Sequence, residues 1–235
     1  MVLFRRLQAH QGVGSLLVCD PERSRLSIIN SEFPNIPTTC SIDDVVSDPD
    51  IDAGIIATPV GTHGMLAKQL LEQQKHVLVE KPLAIRSSMA TALVKLAEKQ
   101  KRILMVAHTP LFSAVAEQMP FLITKQLKSD RFYLRMRRIN STKGDPQTAG
   151  SLLWDLAVHD LALFLAWESL SADGIIVEST SWQTTPPKLI LILRSKRFIV
   201  EVVVGNEAER ERLIRIEADG AAIEWKDDEK VNLTL

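Results

Sequence analysis

Hydrophobic positions follow two different patterns along the chain, and the pattern changes near residue 110. Before that point, short runs rich in Val, Ile and Leu alternate with amphipathic segments whose apolar residues recur at helical spacing. The apolar runs are SLLVC (15–19), AGIIAT (53–58), HVLVE (76–80) and RILMVAH (102–108), and the helical segments are IDDVVS (42–47), GMLAKQLLEQQ (64–74) and SSMATALVKLAEKQ (87–100). Nearly continuous apolar strands separated by helices predict class α/β with a doubly wound parallel sheet.

Beyond residue 110, helices come first and strands follow. Helical segments are predicted near 114–128 and over SLLWDLAVHDLALFLAW (151–167), with a strand near 130–140 between them. From residue 174 onward, strand-like runs joined by short turns predict a mostly antiparallel sheet. We therefore predict two domains, a nucleotide-binding type of α/β domain over residues 1–110 and an α+β domain over residues 111–235.

The helix predicted over residues 151–167 is apolar, yet it carries three ionisable side chains, Asp155, His159 and Asp160. On a regular helical wheel of about 100° per residue, Asp155 and His159 lie about 40° apart, on a stripe of otherwise small residues. Asp160 lies about 100° from His159 and is therefore predicted to be structural. The stripe either borders a pocket or holds a satisfied internal Asp–His pair, because a lone buried charge is costly.

The net charge of the chain gives no indication of a nucleic-acid partner. The 235 residues are 46% hydrophobic, with 28 basic and 29 acidic residues and a formal net charge of −1, so no basic excess indicates nucleic acid. Arg135, Arg137 and Arg138 form a local cationic cluster that strand spacing divides between two faces. We interpret this cluster as a solvated strand, with anion binding as the alternative.

The two cysteines, Cys19 and Cys40, have neither a metal-binding nor a CxxC spacing. We therefore predict a reduced, cytoplasmic protein without structural disulfides and without a metal site. The N-terminus lacks the long apolar run of a signal peptide, and the helix at 151–167 is interpreted as too short and too charged to span a membrane.

Candidate chemistry lies where the predicted parallel strands end, because ligands of open α/β sheets bind beyond the carboxyl ends of the strands. The polar and adjoining residues at those ends are the predicted cofactor-binding residues: Asp20, Thr58, Pro59, His63, Glu80, Lys81 and His108.

Asp20 ends the strand at 15–19 and has two interpretations. An acidic residue at this point of a dinucleotide-binding fold accepts hydrogen bonds from the adenosine ribose hydroxyls and repels a 2′-phosphate, which favours NAD. Arg23 and Arg25 lie nearby and keep NADP as the alternative cofactor. The second interpretation is a turn residue, because Asp-Pro commonly opens turns.

Lys81 directly follows a buried strand and precedes Pro82, so its side chain leaves the sheet from a rigid strand end. A lysine in that place can hold a substrate hydroxyl while hydride leaves the carbon. The alternative is a surface lysine paired with Glu80.

Four segments occur in a specific order along most of the chain: IIATPVGTH, HVLVEKPLA, ILMVAHTPLF and LLWDLAVHD. In order and separation they resemble the glucose–fructose oxidoreductase and inositol dehydrogenase family (Gfo/Idh/MocA). HTPLF and LWDLAVHD are most similar to its branch of dehydrogenases that oxidise a ring hydroxyl of UDP-N-acetylated sugars.

The resemblance implies a Rossmann-like domain that binds NAD, with NADP as the alternative, and hydride transfer at a sugar or cyclitol hydroxyl. It implies that Lys81 contacts the reacting hydroxyl, that His159 is the general base and that Asp155 orients or polarises that base. It also implies a homo-oligomer formed through the C-terminal sheet.

The chain departs from the family pattern at both ends. A dinucleotide site normally begins with a strand and a G-x-G-x-x-G loop, whereas this chain begins with MVLFRRLQAH, which has the character of the helix that follows such a loop. Gly12 and Gly14 precede a strand, so they do not form that loop. We expect the first strand and the glycine loop to be missing, together with a helical segment after VNLTL. The alternative to an enzyme is therefore a truncated, catalytically inactive member that acts as a sugar-binding or dimerisation module.

Overall fold

The structure is a computed structural model that describes residues 2–127, 129–141, 148–168, 174–226 and 232–234. The chain divides into two compact units, residues 1–106 and 107–235. Each unit has its own hydrophobic core of buried aliphatic and aromatic side chains.

Unit 1 alternates strands and helices as the hydrophobic pattern predicted. Its elements are α1 (Val2–Gln8), β1 (Val18–Cys19), α2 (Arg23–Glu32), β2 (Thr38–Thr39), α3 (Ile42–Ser47), β3 (Ala53–Ile56), α4 (Val60–Glu72), β4 (His76–Val79), α5 (Ser87–Gln100) and β5 (Leu104–Val106). All of its strand pairs are parallel, which confirms the predicted α/β class with a Rossmann-like parallel arrangement.

The parallel strands of unit 1 form two sheets. β1 pairs with β2, and a second sheet has the order β3-β4-β5. Within the described residues, no strand pairs with both sheets. The pairing explains why β1 is shorter than the predicted strand at 15–19, since only the residues opposite β2 complete a ladder.

Helices α4 and α5 pack on the three-stranded sheet and bury its core. Leu70 and Leu71 of α4 lie with Val77 and Val79 of β4 and Leu93 of α5, all at most 2% exposed. Burying side chains of this size stabilises the unit by roughly 1.5–3 kcal/mol each. This burial holds α4 and α5 against the sheet and so fixes the loops at its carboxyl edge.

Unit 2 combines three helical segments with one large sheet. After a 3-10 turn at Thr109–Phe112 come α6 (Ala114–Gln126), β6 (Phe132–Asn140), a helical stretch from Ala149 to Glu168, β7 (Ile176–Thr184), β8 (Pro187–Arg194), β9 (Phe198–Asn206), β10 (Glu211–Ala218), β11 (Ala221–Lys226) and β12 (Asn232–Thr234). The strand order is β12-β11-β10-β6-β9-β8-β7.

The predicted mostly antiparallel sheet is confirmed, with one exception. β6 and β9 lie side by side in parallel, and the other five neighbouring pairs are antiparallel. Turn signals alone could not predict this pair, because both neighbours of β6 in the sheet, β9 and β10, lie far from it along the chain. One face of the sheet packs against α6 and the helical stretch, and the two together form the core of the unit.

By length and composition alone, one helical stretch of the described residues, Ala149–Glu168, could cross a membrane. Its 20 residues exceed the predicted 151–167, so the sequence argument from shortness was wrong. Leu152, Leu163 and Phe164 are buried in the core of unit 2, and core helices of folded domains share this length and composition.

Candidate active site

The carboxyl ends of β3 and β4 bring together five of the predicted site residues. Ile56 and Val79 are the last residues of the two strands and lie opposite each other in the parallel register. The ladder continues one step further, where the Glu80 amide donates to the Ile56 carbonyl at 2.9 Å. The segments that follow, with Thr58, Pro59 and His63 on one side and Glu80 and Lys81 on the other, therefore start from the same edge.

His63 joins these two segments directly. Its Nδ1 lies 2.8 Å from the carbonyl oxygen of Pro82, and its Nε2 lies 2.7 Å from the carbonyl oxygen of Thr58. The ring is 2% exposed. Because the protein itself occupies both nitrogens, we revise the predicted role of His63 from a cofactor ligand to a group that holds the two loops.

Thr58 and Pro59 form the entry to α4. The hydroxyls of Thr58 and Thr62 are 2.7 Å apart, and the Thr62 hydroxyl donates to the Pro59 carbonyl at 2.7 Å. This hydrogen bonding fixes the loop before the helix, where the backbone N–H groups of a helix N-terminus face outward. On the other loop, Lys81 is half-buried and the Lys81–Pro82 peptide is cis.

Asp20 lies at the carboxyl end of β1 and takes part in the turn that its second interpretation predicted. Its Oδ1 accepts from the Glu22 amide at 2.8 Å, which is the turn that opens α2. Its Oδ2 lies 3.4 Å from Arg25 Nη1, and the Arg25 side chain is 63% exposed. An exposed pair at this distance is weak, so Oδ2 retains the capacity to accept hydrogen bonds from a ligand.

The thiol beside Asp20 is chemically quiet. Burial, with a smaller contribution from the Asp20 charge, raises the pKa of Cys19 above its ordinary value. A thiol held in its protonated form is a poor nucleophile and a poor metal ligand. Cys19 and Cys40 are both free.

The helical stretch in unit 2 is not the single regular helix that the sequence predicted. It consists of α7 (Ala149–Leu152), a π-helical turn (Leu153–Ala157) and α8 (Val158–Glu168). Thr148 caps α7 through a reciprocal capping box, in which its hydroxyl accepts from the Ser151 amide at 3.1 Å and the Ser151 hydroxyl accepts from the Thr148 amide at 2.9 Å. Ser151, a member of the predicted stripe, thus has a structural role.

The π turn lies directly at Asp155. Its hydrogen bonds span five residues instead of four, so each residue rotates the chain by less than on a regular wheel. Asp155 and His159 therefore lie nearer to one common stripe than the regular wheel predicts. Asp155 is exposed and His159 is half-buried, whereas Leu156 and Ala157 between them are buried. The titratable stripe is thus an accessible face of a helix that is otherwise in the core.

Asp160 lies on the opposite, buried side and is bonded to the sheet. Arg138 Nε and Nη2 each donate to one carboxylate oxygen of Asp160 at 2.8 Å. The two side chains are 16% and 3% exposed. Arg138 faces the helices with the core residues of β6, and the interpretation of the arginine cluster as a solvated strand is therefore wrong for this residue.

Two exposed aromatic residues near these groups were not predicted. Trp154 is 37% exposed and directly precedes Asp155 on a helix that is otherwise apolar. Phe112, in the 3-10 turn that follows His108, is 73% exposed. His108 itself lies in unit 2 and its carbonyl accepts from the Leu111 amide at 3.0 Å. For Trp154, its place directly before Asp155 in the sequence is a signal that could have marked it, whereas the sequence around Phe112 carries no such signal.

Within the part of the chain that the structure describes, no group of three or more His, Cys, Asp or Glu side chains is arranged to hold a metal ion. The residues at the sheet edge instead suit a dinucleotide. Asp20 follows β1 with a carboxylate, which can accept hydrogen bonds from hydroxyl groups, and the half-buried Lys81 follows β4 with an ammonium group, which can donate them. The described turns between parallel strands and helices contain no G-x-G-x-x-G loop, which would hold the pyrophosphate of a dinucleotide. The residues present therefore suit only the ribose and nicotinamide ends of such a cofactor.

Fold and site residues together define the class, a dinucleotide-binding α/β domain followed by a domain built on a mostly antiparallel sheet. Residues 3–108 match the model of the GFO_IDH_MocA group, described as an oxidoreductase family with an NAD-binding Rossmann fold. This match supports the predicted resemblance to the Gfo/Idh/MocA oxidoreductase family over residues 3–108, a little under half of the chain.

Relatives extend beyond the matched domain. The oxidoreductase YdgJ of Escherichia coli K12, itself uncharacterised, is 29% identical over 161 residues, which are 65% of this chain and 44% of that protein. UDP-N-acetylglucosamine 3-dehydrogenase of Acidithiobacillus ferrooxidans is 29% identical over 117 residues, 49% of this chain and 36% of that protein. This chain therefore spans less than half the length of either relative.

The fold is also found among solved structures. The crystal structure of myo-inositol 2-dehydrogenase from Lactobacillus plantarum superposes with a TM-score of 0.79 at 14% identity, covering 93% of this chain and 70% of that one. At such low identity the likeness shows a shared fold.

Proposed function

We propose that this chain acts in an NAD(P)-dependent oxidoreductase that transfers hydride between nicotinamide and a ring hydroxyl of a sugar, cyclitol or nucleotide sugar. The observation that carries the proposal is the accessible stripe with Asp155 and His159 on a helix whose other sides are buried. Ionisable groups on the accessible face of a core helix are available to a ligand, and a carboxylate one turn from an imidazole is a pairing that acid–base catalysis uses.

Each of the three catalytic candidates has a separate task. The half-buried His159 takes the proton of the substrate hydroxyl, a role that suits an imidazole near neutral pH. Asp155, one helical turn earlier, orients and polarises the imidazole. Lys81 holds the same oxygen by hydrogen bonding and stabilises the negative charge that develops there. A nicotinamide held at this edge would supply the hydride acceptor.

The cofactor contacts follow from the sheet edge. Asp20 accepts hydrogen bonds from the adenosine ribose, so we assign NAD as the preferred cofactor and NADP as the alternative. Thr58, Pro59 and Glu80 line the edge near the nicotinamide end, and His108 is assigned to the same site. His63 holds the two loops that carry these residues, through the carbonyls of Thr58 and Pro82.

The substrate class rests on two named relatives. One is the UDP-N-acetylglucosamine 3-dehydrogenase and the other is a scyllo-inositol 2-dehydrogenase of Bacillus subtilis, 27% identical over 85 residues, and both names refer to hydroxyl-bearing rings. Trp154 beside Asp155 supports a ring substrate, because an exposed indole offers an apolar face on which a sugar ring can pack. The two free cysteines support a cytoplasmic location.

The alternative function is a sugar-binding or dimerisation module without catalysis. The observation in its favour is the outer face of the unit 2 sheet, on which Arg135 pairs with Glu201 and Arg215 pairs with Glu224. Under either function the protein is a homo-oligomer joined through this face.

Titration of the purified 235-residue chain with NADH tests the proposal, with thermal unfolding as the readout. Ligand at about 100 times its Kd stabilises the folded state by about 2.7 kcal/mol, which corresponds to a rise in Tm of roughly 5–10 °C for a domain of this size. NADPH measured in parallel gives the cofactor preference. An unchanged Tm at saturating NADH would reject the enzyme function for this chain.

Turnover of variants tests the catalytic roles, with UDP-N-acetylglucosamine and myo-inositol as substrates. Lys81→Ala and His159→Ala should each lower kcat by at least about 100-fold, the usual contribution of a positioned acid or base. Lys68→Ala is the matched control, because Lys68 forms only an exposed pair with Glu72 at 3.6 Å. Circular dichroism checks that each variant is folded. Equal turnover of Lys81→Ala, His159→Ala and the control would refute the assigned roles.

A further inference from the structure

The parallel pair of strands in the unit 2 sheet, β6 and β9, ends in two asparagines. Asn140 and Asn206 are the last residues of the two strands and lie opposite each other in the register. The Glu207 amide donates to the Asn140 carbonyl at 3.0 Å and closes this end of the pair. Neighbouring strands lie about 4.8 Å apart, so the two carboxamides can contact the same ligand.

Both asparagine side chains lie on the face of the sheet that packs against the helices. Side chains of a strand alternate between the two faces, and Asn206 follows the core residues Val202 and Val204 at this spacing. Asn140 follows Met136, a core residue of β6, at the same even spacing. The apolar core therefore ends in a polar row at the carboxyl ends of β6 and β9.

Asn206 is a buried residue whose carboxamide has no hydrogen-bond partner among the described residues. It is 8% exposed, and the side chains around it within the described ranges form their hydrogen bonds elsewhere. Buried polar side chains are nearly always hydrogen-bonded, so an exception requires an explanation. The strand itself does not favour asparagine, which is among the residues depleted in strands. The carboxamide is therefore available to a molecule from outside the chain.

Asn140 is held in one orientation by a residue of the neighbouring strand β10. Arg212 Nη2 donates to Asn140 Oδ1 at 2.6 Å, and Arg212 Nη1 donates to the Ile139 carbonyl at 2.6 Å. The amide oxygen of Asn140 is thus engaged, and its amino group is the part that it offers to a ligand. Asn206 can both donate and accept. Together the two carboxamides suit a hydroxyl, which also donates and accepts.

Two hydrogen-bonded contacts show that α8 runs in the direction opposite to β6 and β9. Near the carboxyl end of β6, Arg138 bonds Asp160. Before the amino end of β9, the Ser195 hydroxyl donates to Glu168 Oε1 at 2.8 Å, and the amide of Phe198, which begins β9, donates to that hydroxyl at 2.9 Å. The residues that precede Asp160 on the helical stretch therefore lie toward the carboxyl ends of the two strands.

This direction places the asparagines at the level of the catalytic candidates. From Asp160 back to Asp155 the helical stretch covers about 7 Å, at about 1.5 Å per residue. From Arg138 forward to Asn140 the strand covers about the same length, at about 3.3 Å per residue. The π turn also packs against β9. The polar row and the stripe with Asp155 and His159 thus lie at the same end of unit 2.

We propose that Asn206 and Asn140 form a subsite that binds a hydroxyl of the ring substrate other than the hydroxyl that is oxidised. The identity of the ring rests on the proposed function, whereas the subsite itself lies wholly in unit 2. A ring with several hydroxyls satisfies both the stripe and the amides, and a ring with a single hydroxyl leaves the amides without a partner. None of the four sequence motifs includes either asparagine.

Nuclear magnetic resonance of the ¹⁵N-labelled full chain tests the subsite through its side-chain amide signals. Addition of myo-inositol or UDP-N-acetylglucosamine should shift the signals of Asn206 and Asn140, and cyclohexanol, a ring with one hydroxyl, should leave them in place. Asn206→Ser and Asn140→Ser assign the two signals, because each variant removes one carboxamide without adding volume. Asn30, exposed on α2, is the control whose signal should not move. Unchanged Asn206 and Asn140 signals with both polyhydroxy rings would overturn the proposal.

Thermal unfolding distinguishes a binding role of Asn206 from a structural one. Asn206→Val should keep the Tm of the free chain within about 2 °C of the wild type, because it removes no described hydrogen bond and valine suits a strand. Asn140→Val is the matched variant in the facing strand and should lower the Tm by at least about 3 °C, since it removes the bond from Arg212. An equal fall in both variants would show that Asn206 is structural and would refute the assignment.

Kinetics measure the contribution of the subsite to substrate binding. Asn206→Ser should raise the KM for the polyhydroxy ring roughly 3- to 10-fold, as expected for the loss of one hydrogen bond, with kcat nearly unchanged. A KM equal to that of the wild type would contradict the subsite.

NADH binding separates this inference from the proposed function. If a polyhydroxy ring shifts the two amide signals and NADH leaves the Tm unchanged, the subsite stands and the enzyme function fails. If NADH raises the Tm and neither ring moves the amide signals, the enzyme function stands and the subsite fails.

Discussion

His159 and Asp160 are adjacent on one helix but differ in burial and in their surroundings. His159 lies on the accessible stripe, whereas Asp160 points into unit 2 and accepts two hydrogen bonds from Arg138. A buried carboxylate is tolerated there because the planar guanidinium satisfies both of its oxygens and neutralises its charge. The pair ties α8 to β6 and thereby holds the helix that presents Asp155 and His159.

Asp160→Asn should destabilise the protein, because it leaves the charge of Arg138 in a mostly buried place without its counterion. We expect a loss of about 3 kcal/mol in the free energy of unfolding, measured by urea denaturation. Glu178→Gln is the control, since its pair with Arg194 is 53% and 32% exposed, and exposed pairs contribute about 0–1 kcal/mol. A loss of the same size in both variants would contradict a structural role specific to Asp160.

At the scale of elements, the regular period of the sequence failed at the π turn. The apolar positions of residues 149–168 satisfy an α-helical pattern closely enough that a wheel assigns one helix, yet Leu153–Ala157 takes a wider turn. π turns occur mostly within α-helices and frequently at functional sites. Here the turn aligns Asp155 with His159 and turns Trp154 outward, and neither effect is visible in a wheel of constant rotation.

The packing between β8 and β9 leaves no room for a side chain at Gly205. A Cβ on Gly205 would lie 2.5 Å from the Pro187 carbonyl oxygen and 3.2 Å from the Lys188 Cα, both backbone atoms that cannot rotate away. Gly205→Ala should therefore cost about 1–3 kcal/mol of stability in thermal unfolding.

Gly150→Ala is the matched control for this hairpin. Gly150 lies in α7, and the nearest atom to its added Cβ is the Thr148 hydroxyl oxygen at 3.7 Å, an ordinary contact. Alanine should be neutral there or stabilise the helix by up to about 1 kcal/mol. A tolerated Gly205→Ala would show that the strands separate more easily than their packing indicates.

At the scale of the whole molecule, the seven-stranded sheet of unit 2 has two chemically different faces. The inner face is the core, and the outer face carries Arg135 bonded to Glu201 at 2.7 Å and Arg215 bonded to Glu224 at 3.0 Å. The hydrogen bond from Arg215 lowers the pKa of Glu224, and the bond to Glu201 raises the pKa of Arg135.

Apolar side chains beside the ion pairs complete this outer face, and they lead to a prediction about assembly. Ile199, which is 40% exposed, lies opposite Arg194 of β8 and Tyr133 of β6. If the face joins two copies, light scattering after size exclusion should give about twice the 26.2 kDa of one chain. Ile199→Lys should return the mass to that of one chain, because it places an unpaired charge in the interface.

Ile103→Lys is the control for assembly, because Ile103 is 65% exposed in unit 1 and lies outside the proposed interface. It should leave the mass of the assembly unchanged. A wild-type chain that elutes with the mass of one copy would refute the proposed homo-oligomer.

Most of the architecture could be predicted from the sequence because it depends on local periodicity. The apolar positions in runs such as HVLVE and in helices such as α5 repeat with the period of a strand or of a helix, independent of the elements that pack against them. The type and order of these elements therefore follow from hydrophobicity alone. The carboxyl strand ends follow as well, and with them the positions of Asp20, Lys81 and the other edge residues.

The sequence by itself determined the α/β class of unit 1, the mostly antiparallel sheet of unit 2 and the short set of residues with candidate chemistry. Only the tertiary structure decided which partner each of them has: carbonyls for His63, a guanidinium for Asp160, and an accessible face for Asp155 and His159. The reason is physical. Periodicity is a local property that one element sets, whereas a hydrogen-bond partner or a free face depends on elements that meet only after the chain folds.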